Sequence, residues 1–97
     1  MTAPRFEWDP AKSRANELKH GISLAEAASA FLDDDARIIA DAGHSEDEER
    51  FVLLGRSLGK GVLAVAHCYR EGDGIIRLIS ARPATKRERA QYEGFLS

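Results

Sequence analysis

Two arginines and a histidine in the second half of the chain are residue types that could act on a phosphodiester bond. Arg82 ends a predicted strand directly before a basic segment, and its planar guanidinium can pair with two phosphate oxygens. Arg77 lies inside the same apolar run, where it either faces solvent or pairs with an acid, because burial without a partner is costly. His67 lies late in another apolar run, and imidazole titrates near neutrality, as general acid or base catalysis requires. We therefore predict Arg82, His67 and Arg77 as catalytic residues.

Each of the three also has a structural interpretation. Arg82 could be an exposed cation at a strand end, and His67 could be a hydrogen-bonded histidine within a sheet. Because strand side chains alternate, Arg77 and Arg82 should point to opposite sides of the sheet unless the strand contains a bulge. The same alternation puts Cys68 on the opposite face from His67, which disfavours a cysteine nucleophile activated by this histidine.

Further cations and aromatic rings are placed where they could contact a nucleic-acid strand. Lys12 and Lys19 share one face of a predicted helix. Lys19 and His20 could instead be present only because positive charge at a helix C-terminus stabilises the helix. Trp8 and Tyr92 could stack on bases, although packing in the core is the favoured interpretation for Trp8. The predicted RNA-binding residues are Lys12, Lys19, His20, Arg56, Lys86, Arg89, Tyr92 and Trp8.

The composition predicts one cytoplasmic domain, residues 1–97, without metal or cofactor. Its 97 residues, 43% hydrophobic and 31% charged, suit a single globular core. The single cysteine cannot form an intrachain disulfide, and His20, His44 and His67 have no metal-ligand spacing. No run approaches the roughly 18 apolar residues of a membrane span, and no signal pattern is seen, so no membrane contact is expected.

Charge is unevenly distributed along the chain. Residues 33–50 hold eight acids and two arginines, whereas residues 51–97 hold eight bases and four acids. This pattern indicates either solvated surfaces of opposite sign or a basic patch for a polyanion. A pI of about 5.9 argues against broad coating of nucleic acid.

The elements that must position these residues begin with a short strand and two helices. Residues 5–8 alternate in polarity, and Asp9 and Pro10 then suit the N-cap and first position of a helix that Gly21 ends. Ser23 and Glu26 have the capping-box spacing of a second helix that ends near Asp33. The predicted apolar stripe of the first helix is Ala11, Ala15, Leu18 and Ile22, and that of the second is Leu24, Ala27, Ala28, Phe31 and Leu32.

Strands and a basic helix follow. Residues 50–57, 62–69 and 75–82 alternate as strands joined by glycine turns, residues 37–40 could add a shorter strand, and Pro83 ends the last one. Thr85 and Glu88 form another capping box, opening a helix to about Phe95. We predict an α+β fold in which a small antiparallel sheet has two N-terminal helices packed on one face and a C-terminal helix, in the order β-α-α-β-β-β(-β)-α, with the other face partly open.

A series of motifs extends over nearly the whole chain. They are Phe6-Glu7-Trp8-Asp9-Pro10, Lys12, Asn16, Lys19-His20-Gly21-Ile22, Glu26-Ala27, Leu54-Gly55-Arg56-Ser57, His67, Arg77-Leu78-Ile79-Ser80-Ala81-Arg82-Pro83-Ala84, Arg87-Glu88-Arg89 and Tyr92-Glu93. Together they resemble the BrnT family of type II toxins. The resemblance implies a RelE-like fold, a ribonuclease activity that arrests translation, and a ribbon-helix-helix antitoxin, BrnA, that contacts operator DNA and represses the operon together with the toxin. It also suggests a complex holding two toxins.

Such a fold is expected to cleave RNA without a metal. The ribose 2′-hydroxyl attacks the adjacent phosphate, so the site must remove one proton, neutralise the phosphoryl oxygens and protonate the leaving 5′-oxygen. The alternative is a non-catalytic module of the same fold whose basic face docks an acidic protein or a nucleic acid.

Overall fold

A computed structural model describes residues 5–40, 50–70 and 74–94, which form three α-helices, one 3₁₀ turn and five strands. The acidic segment 41–49 with His44, most of the predicted turn at 71–74 and the predicted helix end at Phe95 lie outside the described residues. The elements are β1 (Arg5–Glu7), α1 (Pro10–His20), α2 (Leu24–Ser29), the 3₁₀ turn (Ala30–Leu32), β2 (Arg37–Ala40), β3 (Phe51–Arg56), β4 (Val62–Tyr69), β5 (Ile75–Pro83) and α3 (Lys86–Gly94).

The predicted helix caps are present. Asp9 accepts a hydrogen bond from the backbone N–H of Ala11 (2.9 Å), and Gly21 ends α1 with a φ of 74°, a conformation that glycine adopts without strain. Ser23 Oγ accepts the N–H of Glu26 (3.1 Å) at the start of α2. Each cap satisfies a backbone group that the helix end would otherwise leave unpaired.

The α+β class is confirmed, but the sheet is mixed rather than wholly antiparallel. Its strand order is β1-β5-β4-β3-β2, and β1 runs parallel to β5 while the other pairs are antiparallel. The parallel pair covers only the first three residues of β5, opposite Arg5–Glu7. The predicted antiparallel sheet is therefore wrong at this pair, where β1 joins β5 from the far end of the sequence.

Two apolar clusters lie on opposite faces of the sheet. On the core face, side chains of β3, β4 and β5 pack under α2, the 3₁₀ turn and Ile22, which confirms the predicted placement of the second helix. On the other face, here called the α3 face, Tyr92 of α3 packs on Leu54, Val62 and Ala64. The C-terminal helix therefore covers part of the face that was expected to stay open.

The predicted apolar stripe of the first helix is wrong except at Ile22, which is buried in the core. Ala11, Ala15 and Leu18 are exposed, Leu18 to 90%, and the one buried residue of the helix is Asn16. A polar residue can take that position because its amide is hydrogen-bonded to backbone groups of β5 and of Ile22. In the second stripe Leu32 is also exposed, whereas Leu24 and Ala27 are fully buried.

No helix within the described ranges has the length and apolar composition needed to cross a membrane.

Candidate functional site

A β-bulge in β5 brings Arg77 and Arg82 to the same face of the sheet. The strand register runs from Ala66 opposite Ser80 to His67 opposite Leu78, so Ile79 is an extra residue on β5. Arg82 lies opposite Ala64 and Arg77 opposite Cys68, two β4 positions an even number of residues apart. Both arginines therefore emerge on the α3 face, as the bulge alternative predicted.

The guanidinium of Arg82 forms a two-pronged ion pair with Glu88. Nη1 donates to Oε1 (2.6 Å) and Nη2 donates to Oε2 (3.0 Å), while the Arg82 side chain stays 41% exposed. Glu88 also accepts the N–H of Thr85, and Thr85 Oγ1 accepts the N–H of Glu88, completing the predicted capping box. The bonds from Arg82 hold the pKa of Glu88 at about 2, against the opposing effect of partial burial. The capping box thus also fixes the direction of the arginine.

His67 does not join the arginines on the α3 face, although all three were predicted as catalytic residues. Its side chain is fully buried on the core face, where its ring meets those of Phe31, Phe51 and Tyr69. Nδ1 donates to the carbonyl of Val65 (3.0 Å), and in this tautomer Nε2 faces the Tyr69 hydroxyl at 3.3 Å. Burial lowers the pKa of His67 and outweighs the opposing hydrogen bond to Val65. His67 is therefore a hydrogen-bonded sheet histidine that RNA cannot reach.

Three of the predicted RNA-binding residues converge on a cleft between α1 and β5. This α1–β5 cleft is open to solvent and has a volume of about 270 Å³. Its α1 wall presents Lys12, Lys19 and His20, and its β5 wall is the bulge at Ile79 and Ser80. The remaining lining residues are Ala15 and Asn16. Two lysines, a histidine and a serine thus contribute to one concave surface, which suits an anionic group such as a phosphodiester.

Asn16 fixes one wall of the cleft against the other. Its Nδ2 donates to the carbonyls of Ile22 (2.7 Å) and Ala81 (2.8 Å), and its Oδ1 accepts the N–H of Ala81 (3.1 Å). The side-chain amide pairs with the β5 backbone as a neighbouring strand would, beyond the point where β1 ends. Asn16 was not predicted as a site residue, and the one sequence signal for it was its place in the family motif.

Tyr92 cannot stack on a base, so that prediction is wrong. It is 2% exposed, and its hydroxyl donates to Oδ2 of Asp33 (2.5 Å), which also accepts the N–H of Arg56 (2.8 Å). Burial and the Asp33 carboxylate both raise the pKa of Tyr92. Burial alone would raise the pKa of Asp33, but the hydrogen bonds that its carboxylate accepts outweigh this effect and lower the pKa. The guanidinium of Arg56 lies 6.0 Å from the ring centroid.

The remaining predicted residues differ in their surroundings. Trp8 is half-buried and packs against the core-face cluster, which matches its structural interpretation. Lys86 and Arg89 are exposed on α3, Arg56 is exposed at the end of β3, and Arg77 is exposed on β5. The structure thus gives two cationic regions, one in the α1–β5 cleft and one on the α3 face, and β5 contributes to both.

Among the residues that the structure describes, no three His, Cys, Asp or Glu side chains form a group that could hold a metal ion. Cys68, the single cysteine of the sequence, is buried.

Comparison with known proteins gives one family and one fold. A family model described as the ribonuclease toxin BrnT of type II toxin-antitoxin systems matches residues 8–88. The crystal structure of the Brucella abortus ribonuclease toxin BrnT, at 1.1 Å resolution, superposes with a TM-score of 0.63 and 22% sequence identity, covering 87% of this chain and 100% of that one. At this identity the structural similarity establishes the fold alone. No curated protein matches the chain.

Proposed function

Because the chain belongs to the family of BrnT ribonuclease toxins of type II toxin-antitoxin systems, we propose that it is an endoribonuclease that cleaves RNA without a metal and thereby inhibits translation. In the proposed reaction the ribose 2′-oxygen attacks the adjacent phosphorus and the bond to the 5′-oxygen breaks. The products are a 2′,3′-cyclic phosphate and a free 5′-hydroxyl. Metal-free chemistry of this kind needs fixed cations at the phosphate and groups that move two protons.

The observation that carries the proposal is the convergence of Lys12, Lys19 and His20 on the α1–β5 cleft. These side chains come from one helix, yet they face a bulged strand that is distant in sequence, and Asn16 holds the two together. A backbone phosphate in this cleft would meet two ammonium groups and the Ser80 hydroxyl. Each charge-assisted hydrogen bond of this type contributes about 1.5–3 kcal/mol.

Arg77 and Arg82 are the proposed cations on the α3 face. They share that face because of the same bulge that shapes the cleft. Glu88 orients the Arg82 fork, and the 41% exposure of Arg82 leaves room for a phosphate beside the carboxylate. Arg56, Lys86 and Arg89 are exposed and would contact the RNA backbone away from the scissile bond. Trp8 can contribute only the exposed part of its ring.

A type II toxin has a cognate antitoxin, and for this chain we propose one of the ribbon-helix-helix class. The complex would bind operator DNA through the antitoxin, repress its own operon and contain two toxins. An acidic antitoxin segment laid over the cationic surface would exclude RNA from it. The proposed compartment is the cytoplasm, where both RNA and the antitoxin are made.

The ends of cleaved RNA test this proposal. Purified protein is incubated with single-stranded RNA in excess EDTA, and the termini are mapped. We expect 2′,3′-cyclic phosphates and 5′-hydroxyls, and no cleavage at a position carrying a 2′-methoxy group. Cleavage that stops with EDTA, or that leaves 5′-phosphates, would contradict the mechanism. Intact RNA with retained binding would instead support the non-catalytic module.

A further inference from the structure

We infer that His20 is the residue that transfers a proton at the scissile phosphate, an inference that rests on the proposed ribonuclease function. The sequence placed His20 among the RNA-binding residues and gave the catalytic role to His67. The structure argues against a catalytic role for His67, because this side chain is fully buried and both of its ring nitrogens face protein groups. Of the two histidines in the described ranges, His20 alone is reached by solvent.

The position of His20 is fixed relative to the bulge in β5. Its backbone ends α1, and the Gly21 N–H donates to the carbonyl of Glu17 (2.8 Å), which closes the last turn. Asn16 then bonds the carbonyl of Ile22, two residues after His20, and both backbone groups of Ala81, the residue after Ser80. The Asn16 side chain therefore links the backbone next to His20 to the backbone next to Ser80. Such fixed geometry is what an acid–base residue needs.

The other side chains of the cleft bind an anion without competing for this role. Lys12 and Lys19, from the same helix, are the charged groups that line the cleft with His20. From β5 the cleft receives Ile79 and Ser80, which carry no charge. Two ammonium groups would hold a phosphate next to the imidazole, a side chain whose ring nitrogens can give or accept a proton.

The proposed cleavage of the phosphodiester bond needs no further reactant. The bond from the 2′-oxygen to phosphorus forms as the 2′-hydroxyl proton leaves, and the bond from phosphorus to the 5′-oxygen breaks as a proton arrives there. His20 acts at one of these two oxygens, and water or a second group acts at the other. Removing the imidazole should therefore change how kcat depends on pH.

The test compares wild-type protein with His20→Gln and with the matched control Leu18→Ala. Leu18 lies two residues earlier on α1, is 90% exposed and does not line the cleft. Single-turnover cleavage of a short RNA is measured between about pH 5 and 9. For His20→Gln we expect a fall in rate of about 10² to 10⁴-fold and loss of one limb of the pH profile, with little change in RNA affinity. Thermal unfolding of both variants shows that the fold is retained.

The possible results distinguish the proposed role of His20 from the proposed ribonuclease function. A wild-type protein that cleaves RNA while His20→Gln keeps both pH limbs and a rate close to that of Leu18→Ala overturns the role of His20 and leaves the ribonuclease proposal standing. A wild-type protein that cleaves no RNA overturns both. As a second measurement, free imidazole added to His20→Ala restores cleavage if the lost group is a proton carrier, and fails to do so if His20 only binds the RNA.

Discussion

Asn16 and Ala81 are joined by two hydrogen bonds although 65 residues separate them in the sequence. The amide of Asn16 donates to the carbonyl of Ala81 and accepts its N–H, and its second donor bond goes to Ile22. A buried amide in the first helix thus completes the hydrogen bonding of the last strand where its partner strand has ended. This contact joins the two walls of the α1–β5 cleft, so we regard it as the link between fold and site.

Removing this amide should cost stability. Asn16→Ala leaves the N–H and C=O of Ala81 without their partner in a buried place, and each unpaired group costs about 1–3 kcal/mol. We expect the free energy of unfolding to fall by about 2–4 kcal/mol in urea denaturation. The matched control is Arg14→Ala on the exposed side of the same helix, which should change it by less than about 0.5 kcal/mol. Equal stability of the two variants would contradict the role of Asn16.

Local signals in the sequence predicted the starts of the three helices and the end of α1 correctly, but α2 ends at Ser29 and not near Asp33. The N-cap bonds at Ser23 and Thr85 and the glycine cap at Gly21 were predictable because each involves residues a few positions apart. The strand segments were predictable for a similar reason, since alternation and turn glycines are properties of a short stretch of chain.

The errors concern contacts between distant parts of the chain. The parallel pairing of β1 with β5 and the burial of Asn16 in place of Leu18 both depend on backbone groups that are far away in sequence. The sequence left the shared face of Arg77 and Arg82 open, because it depends on a bulge that only the pairing with β4 reveals. For the site, the sequence predicted Lys12, Lys19 and His20, which the cleft brings together, but it also named His67, which the structure buries on the core face.

The hydroxyl of Tyr92 should stabilise the fold through Asp33. Tyr92→Phe removes a buried hydrogen bond to a carboxylate, which should lower the free energy of unfolding by about 1–3 kcal/mol. The same substitution in an Asp33→Asn background should cost less, because both changes act on one bond. A double-mutant cycle by urea denaturation measures this coupling. Fully additive effects would show that the bond does not contribute.

His67 should make the protein less stable in mild acid. Its pKa is lowered in the folded state, so below its ordinary value of 6.5 the unfolded chain binds a proton that the folded chain does not. The stability that the neutral His67 side chain contributes is fully present above about pH 6.5 and is lost as the pH falls towards its pKa in the folded protein. Urea midpoints between about pH 5 and 8 should decline on the acid side for wild type and decline less for His67→Gln. Parallel curves would contradict the burial of a neutral imidazole.

Glu88 should contribute stability in a lower pH window. Its folded pKa of about 2 lies below its ordinary value of 4.5, so its stabilising effect is present above about pH 4.5 and is lost as the pH falls towards 2. The difference in unfolding free energy between wild type and Glu88→Gln should therefore shrink across this range. A difference that does not vary with pH would mean that the bonds to Arg82 do not act through the charge of Glu88.

The most direct measurement of the central claim is kcat/KM for RNA cleavage by the double variant Lys12→Ala/Lys19→Ala. Its control is Arg14→Ala/Lys60→Ala, which removes the same charge from two exposed positions outside the α1–β5 cleft. If the scissile phosphate binds in the cleft, the first variant should lose about 100-fold or more relative to the control, since each lost charge-assisted bond is worth at least about tenfold. Equal activity of the two variants would show that RNA is cleaved elsewhere on the protein.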